Sequence, residues 1–227
     1  MVNMDVSSFE RARSTSAKQE RIDAILRSAA EQALVHGIRG VTLTDVAAGV
    51  GMHKSAMLRY FETREEIFLR LAELQWPAWA EASSIRLEAL GEAGPASSSD
   101  RAAIVSGVLA STLVARPLFC DLLAQVPLNL ERGVSLGAVK RFKVVALAAA
   151  ARAAGAVQNA CGVDAAAAGS IIAAATSLAG AFWQMAAPGT ALRDLYQSGP
   201  ELGHAIVDVE PRLAGILTAL IRGYSIG

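Results

Sequence analysis

Between Thr42 and Glu66 two helix-capping signals flank a glycine, and that spacing leaves the chain few ways to fold. Thr42 followed by Asp45 is a variant capping box, in which one side chain accepts from a backbone amide three residues on and the other returns the bond. A helix is therefore expected to open at Leu43 and to bury Val46, Ala47 and Val50 on one face. Gly51 then supplies the positive φ that ends a helix and turns the chain sharply. A second helix of about two turns is expected from near His53 to Phe61, with Met57, Leu58 and Phe61 on its buried side. Its other face carries Lys54, Ser55, Ala56, Arg59 and Tyr60. Thr63 and Glu66 form the next capping box, opening a helix in which Ile67, Phe68, Leu71 and Leu74 recur at helical spacing.

Upstream, Ser16 and Gln19 give a further capping signal, and Ile22, Ile25, Leu26, Ala29 and Ala33 make an apolar stripe that stops at Gly37. Three helices then close a small core, and the second and third form a helix-turn-helix. The exposed face of the third is short, and its amino end is small, polar and basic, which suits a major groove about 12 Å wide. Helical hairpins with a glycine turn also occur in proteins that never touch DNA. Order and spacing therefore carry the reading.

Residues 18–74 resemble the amino-terminal domain of the TetR (tetracycline-repressor) family of bacterial transcriptional regulators. The resemblance is carried by Gly37, Val41-Thr42, Val46-Ala47, Gly51, the Tyr60-Phe61 pair and Arg64-Glu65-Glu66-Ile67. It implies an all-α homodimer: a three-helix DNA-binding domain followed by a helical-bundle domain for ligand binding and dimerisation. It also implies a ligand-responsive regulator, expected here to be a repressor on a near-palindromic double-stranded operator, released by a small apolar effector. By position, Thr44, Lys54, Ser55 and Ala56 fall where the family tends to place base contacts. Thr42, Arg59, Tyr60 and Arg64 fall where phosphate contacts are usual. His53 stands where a serine cap is common and is expected to cap the helix or meet a phosphate. Leu58 replaces a phosphate-binding tyrosine and Ala56 a frequent threonine, so backbone positioning falls to Arg59, Tyr60 or Arg64. Each has a plainer alternative: Arg59 and Arg64 as solvated surface charges, Tyr60 as a half-buried ring against the fourth helix. Lys54 opposes the helix dipole unless an anion is near, which favours a DNA role.

Charge distribution agrees. The chain is formally neutral, yet residues 11–64 hold nine Lys and Arg against five Asp and Glu. Met1 to Ala17 lacks an apolar run of signal-peptide length and is expected to be a disordered cytoplasmic arm, its Arg11 and Arg13 either free or in a minor groove. The expected division is an arm at 1–17, a helix-turn-helix domain at 18–63 and a helical domain at 64–227.

Chemistry is otherwise sparse. Cys120 and Cys161 are far apart in sequence, and His36, His53 and His204 are scattered. No Ser-His-Asp set, phosphate loop or paired-carboxylate motif is visible. An enzyme has no residues to rest on, and no cofactor or metal is expected.

Beyond Glu73 the signals are helical throughout. Pro77 should break or kink the fourth helix, and 91–99 reads as a linker ending at an Asp100 cap. Further helices are expected to about Ala115, from Pro117 to Val126, from Ser135 to about Asn159, from Asp164 to Pro188, and from Pro211 to about Gly223. Ala165 to Ala187 has no charged residue and is long enough to span a bilayer. Its alanine, glycine, serine and threonine content and its lack of basic flanks favour a buried helix, with no membrane partner. Ala165, Gly169, Ala173, Ser177 and Ala181 form a row at i, i+4 spacing that lets two backbones approach, while Ile171, Leu178, Phe182 and Met185 project elsewhere.

Helices 164–187 and 211–223 are expected to build a four-helix dimer interface, with Leu213, Ile216, Leu217, Leu220 and Ile221 from the last; an intrachain core is the alternative. Trp76, Trp79, Phe119, Leu123, Phe142, Phe182 and Trp183 are expected around a ligand cavity, with Gln125, Asn129 or Gln184 as polar anchors. A different reading of the whole chain is a helical small-molecule binding protein or enzyme with a vestigial DNA-binding domain.

Overall fold

The computed structural model describes residues 6–92 and 98–225, and among them it contains ten α-helices and no strand. α1 (Val6–Gly40) is interrupted at Gly37, whose φ of 69° and ψ of 157° take the chain out of the helix. The apolar stripe is as expected: Ile25, Leu26, Ala29 and Ala33 are buried. The amino-terminal arm differs, because residues 6–17 continue α1 instead of forming a disordered segment. Ser16 consequently lies inside a helix and bonds Glu20 at 3.1 Å, with no cap at that point. The side chains of Arg11 and Arg13 lie outside the described residues.

α2 (Leu43–Gly49) has the expected capping box, with Thr42 Oγ1 accepting from Asp45 N and the Asp45 carboxylate accepting from Thr42 N. Gly51 turns the chain with φ +64°. α3 (Lys54–Met57) is shorter than expected and passes into turns through Tyr60. A helix that short cannot persist on its own hydrogen bonds. Met57 (fully buried) and Phe61 (nearly so) anchor it, and burying one such side chain stabilises by roughly 1.5–3 kcal/mol. Leu58 is not part of that anchor; it is 48% exposed.

α4 (Arg64–Glu92) is capped by Thr63, whose Oγ1 accepts from Glu66 N at 3.1 Å. The reciprocal bond is displaced by one residue, since the Glu66 carboxylate accepts from Glu62 N. α4 runs through Pro77 without ending there. Leu74 points outward, 48% exposed, so the buried stripe continues with Leu69 and Ala72 instead. α5 (Ser98–Val114) opens before Asp100, which therefore cannot be its cap; residues 93–97 of the expected linker lie outside the described residues.

α6 (Pro117–Gln125) is not closed by Pro127 but runs on into a π-helical turn, Val126–Leu130. α7 (Leu136–Cys161) and α8 (Ala165–Ala186) have the expected caps at Ser135 and Asp164. α9 (Ala191–Ser198) and a 3-10 segment (Pro200–Ala205) were not anticipated from the sequence. α10 (Val209–Tyr224) closes the described chain and starts two residues before Pro211.

Two apolar clusters result. One lies in the bundle, around Trp79, Leu109, Phe119, Ile171 and Leu213. The other gathers α1, α2, α3 and the first turns of α4, and takes in Leu118, Leu122, Leu130 and Phe142 from α6, the π turn and α7. The amino-terminal domain is thus packed onto the bundle, and Trp76 of α4 touches both clusters. By length and composition alone α7 and α8 could each cross a bilayer; here α8 packs against α6, α7 and α10.

Candidate nucleic-acid interface

The edge formed by α2, the Gly51 turn and α3 presents Thr44, His53, Lys54, Ser55 and Arg59 to solvent. Thr42 is exposed too, although its hydroxyl is engaged with Asp45. Hydrogen bonds from Thr42 hold the Asp45 carboxyl below the usual carboxylate range, so the capping box carries a carboxylate at neutral pH. His53 occupies the cap position of α3 without a side-chain capping bond, which leaves its ring free for another partner. Ala56 is half-buried and adds little more than a methyl to the edge. Tyr60 is half-buried and packs on the amino-terminal cluster.

Two placements change the expected contact set. Leu58 stands on the exposed side beside Arg59, giving the edge an apolar group where a hydrogen-bond donor is usual in the family it resembles. Arg64 is turned inward: its guanidinium donates to the carbonyls of Ile38 and Val41, pairs with Glu65 at 2.8 Å, and lies 4.9 Å from the Phe68 ring centroid. Those carbonyls end α1 and precede the α2 cap. Arg64 therefore clamps the helix-turn-helix, with three of its five N–H donors committed to protein acceptors.

Packing between α1 and α2 explains how the edge is held. Gln32 of α1 donates to the Asp45 carbonyl at 3.1 Å and to Ser28 Oγ at 3.0 Å. Gly49 fits beneath, where an added Cβ would come within 2.3 Å of Ser28 Oγ. That close approach escaped the sequence reading, because an isolated glycine near a helix end also reads as a simple terminator.

The bundle holds an apolar groove of about 260 Å³ that brings together Trp76, Leu123 and Phe142 from the expected ligand set, with Ala146, Leu147 and Thr176. The other expected residues lie elsewhere. Trp79 and Phe119 are fully buried behind Trp76, at ring-centroid distances of 5.8 and 5.4 Å from it. Phe182 is buried beside Arg212, and Trp183 lines a small cleft against Gly37 and Arg39. Of the expected anchors, Gln184 bonds Asp121, while Gln125 and Asn129 bond each other on another wall. A Lys143–Glu131 ion pair at 2.6 Å sits on the groove instead.

On α8, Ala165, Gly169, Ala173, Ser177 and Ala181 are all exposed, as is Met185. On α10, Gly215, Ile216 and Ala219 are exposed, whereas Leu213, Leu217 and Ile221 are buried in the chain's own bundle. Those three belong to the intrachain core. Cys120 and Cys161 are free thiols, and among the described residues no group of three or more His, Cys, Asp or Glu side chains could hold a metal ion.

An all-helical chain that fastens an exposed, basic helix-turn-helix edge to a helical bundle has the architecture of a DNA-binding transcriptional regulator. Comparison with known proteins makes the class specific. Residues 25–71 match the family described as bacterial regulatory proteins, tetR family, and residues 75–227 match the tetracyclin repressor-like C-terminal domain. The chain belongs to the TetR family and is a DNA-binding transcriptional regulator. No curated protein matches it.

Three of the solved structures that share its fold illustrate the likeness. A protein from Mesorhizobium loti assigned to the TetR family of regulators aligns with TM-score 0.53 at 12% identity, covering 92% of this chain and 96% of its own. The fatty acid degradation regulator FadR from Bacillus halodurans aligns with TM-score 0.51 at 10% identity, covering 88% and 92%. The TetR family regulator PfmR from Thermus thermophilus aligns with TM-score 0.50 at 16% identity, covering 87% and 97%.

Proposed function

We propose that the protein is a cytoplasmic homodimeric repressor whose two α3 edges enter successive major grooves of a near-palindromic operator, about 34–36 Å apart. The observation that carries this reading is the exposed run His53, Lys54, Ser55 and Arg59 over a fully buried Met57. Base contacts fall to Thr44, Lys54, Ser55 and Ala56, and phosphate contacts to Thr42, His53, Arg59 and the rim of Tyr60. The second copy docks on the small-residue row of α8 and on Ile216 and Ala219 of α10, where two backbones can approach closely.

The effector is a small apolar molecule held in the groove beside Trp76. Trp76 touches both apolar clusters, so a ligand pressing on it acts on the helix that joins the two domains. Release requires that the effector bind the conformation unable to reach both half-sites better than the DNA-bound one. Selection of genomic fragments by the purified chain tests the reading: recovery of a two-fold symmetric site supports it, and random recovery sinks it.

A further inference from the structure

Where the amino-terminal domain meets the bundle, the structure leaves a cleft of about 570 Å³, larger than the apolar groove. Its walls come from the end of α1, the start of α4, and the π turn with the residues that follow it. Charge on these walls is unbalanced. Arg64 and Glu65 neutralise each other at 2.8 Å, but Arg39 and Arg132 also line the cleft, are exposed, and have no carboxylate partner among the described residues. Gln125 stands in the same wall at only 4% exposure. Its Oε1 accepts from Asn129 at 3.0 Å, and its Nε2 has no protein acceptor among the described residues.

Two guanidiniums without a carboxylate partner and the free amide N–H₂ of Gln125 on the wall of one cleft form a site rich in donors. Guanidinium forks match phosphate and carboxylate oxygens with paired bonds, and an anion between two of them removes the repulsion they otherwise exert on each other. We propose that this cleft binds a small multivalent anion bearing phosphate groups or clustered carboxylates. Arg39 belongs to the amino-terminal domain and Arg132 to the bundle, so the bound anion ties the two together.

The site is distinct from the apolar groove yet shares a wall with it. Val126 and Pro127 of the π turn line the groove, while Leu128, Asn129 and Leu130 of the same turn line the cleft. π turns inside helices recur at functional positions, and this one lets occupancy on either side be felt on the other. Thr63 of the α4 cap further pins the segment by donating to the Gly133 carbonyl at 3.1 Å.

The test is calorimetric titration of inorganic pyrophosphate into the full chain without DNA, at fixed ionic strength, with citrate as the carboxylate arm. Saturable binding of one anion per chain is expected, weakened at least tenfold in Arg132→Gln and in Arg39→Gln and unchanged in Lys140→Gln, whose side chain lines neither cavity. The stronger of the two arms identifies the native chemistry. Circular dichroism establishes that the exposed-site variants stay folded. The proposal is overturned by an absence of saturable binding to either anion, or by equal affinity in wild type and both arginine variants. It is likewise overturned if Arg132→Gln weakens binding to duplex DNA while neither anion binds, since the arginines would then serve the DNA backbone. Because the titration contains no DNA, its outcome is independent of whether the operator reading holds.

Discussion

The Asp121 carboxylate on α6 accepts the backbone N–H of Ile38 at 2.8 Å and, through its other oxygen, a bond from Gln184 on α8 at 2.9 Å. Ile38 follows the Gly37 break, where its amide has left the helical ladder and needs an acceptor from outside. Its carbonyl is taken by Arg64. One residue at the root of the helix-turn-helix is therefore gripped from the bundle on one side and from α4 on the other. Asp121→Ala leaves a part-buried donor unpaired, at a cost of about 1–3 kcal/mol. Faster hydrogen exchange at the Ile38 amide and a lower Tm are expected, with Asp121→Asn close to wild type because its amide oxygen still accepts. Equal exchange rates in wild type and Asp121→Ala would remove the role assigned to this contact.

Arg59 and Arg64 separate surface chemistry from clamping. Arg59→Gln removes an exposed charge, so operator affinity should fall, the slope of log affinity against log salt should shrink by about 1, and the fold should be unaffected. Arg64→Gln withdraws bonds from the Ile38 and Val41 carbonyls, so its main effect should be a lower Tm with an unchanged salt slope. Fluorescence anisotropy on a labelled operator over a salt series, beside thermal melts, reads both. A reversal of the two patterns would return Arg64 to the phosphate-contacting set.

How much of this was legible beforehand depended on the range of the interaction. Thr42 with Asp45, Gly51, Ser135 and Asp164 act within one helical turn, and each forms the cap or turn its neighbours imply. Leu58 and Leu74 failed because helical periodicity assigns a face only while the helix lasts and the same neighbour stays alongside. α3 ends after Met57, and α4 changes partners along its length. The carbonyl contacts of Arg64 are hidden for another reason: a basic residue flanking a helix-turn-helix is compatible with phosphate or with carbonyls, and only the fold places Ile38 and Val41 beside it. Aromatic content likewise pointed to a cavity without saying that Trp79 and Phe119 lie buried behind Trp76 and do not line it. Nothing local marks Asp121, since its acceptor role exists only once α6 reaches the α1 break.

Gly180 occupies the crossing of α8 and α6, where an added Cβ would stand 2.8 Å from the Ala124 backbone nitrogen and 3.1 Å from the Leu123 carbonyl carbon. Backbone cannot rotate away as a side chain can, so Gly180→Ala must push the helices apart, at a cost of about 1–3 kcal/mol. Leu123 lines the groove. The variant should therefore also change the fluorescence response of Trp76 to an apolar dye. Gly155→Ala, with open space around its Cβ, is the matched control and should be stabilising or neutral. A Gly180→Ala protein with wild-type Tm would contradict the close crossing.

Burial pushes the Cys120 thiol up to about 12 and the Cys161 thiol up to about 11. Both stay protonated at neutral pH, and the thiolate is the reactive form. Native protein should resist iodoacetamide at pH 7.5 and label fully in denaturant. A folded pKa above the unfolded value contributes stability that is complete below the unfolded thiol range and is lost as pH rises through the folded values. Chemical denaturation should accordingly show stability falling from about pH 9 upward. Rapid labelling of folded protein at neutral pH would contradict the burial of Cys120 and the partial burial of Cys161.

Gly169 and Ala173 lie on the exposed small-residue row of α8, and an added Cβ at Gly169 meets nothing within 4 Å. A Gly169→Arg, Ala173→Arg double variant therefore has room for its side chains in the single chain. Across a two-fold interface the same arginines would meet their own copies, and four like charges would face one another at the closest approach of two helices. With the proposed dimer, wild type should sediment as a dimer at micromolar concentration and the double variant as a monomer, with unchanged helicity. Its affinity for the full operator should fall about 10²–10⁴-fold, because linked half-sites are bound at a high effective concentration that a monomer forfeits. Affinity for a single half-site should be preserved, since Lys54, Ser55 and Arg59 lie on another domain. A double variant that remained dimeric would move the interface off α8, and loss of half-site binding along with dimerisation would show that the substitutions had damaged the amino-terminal domain itself.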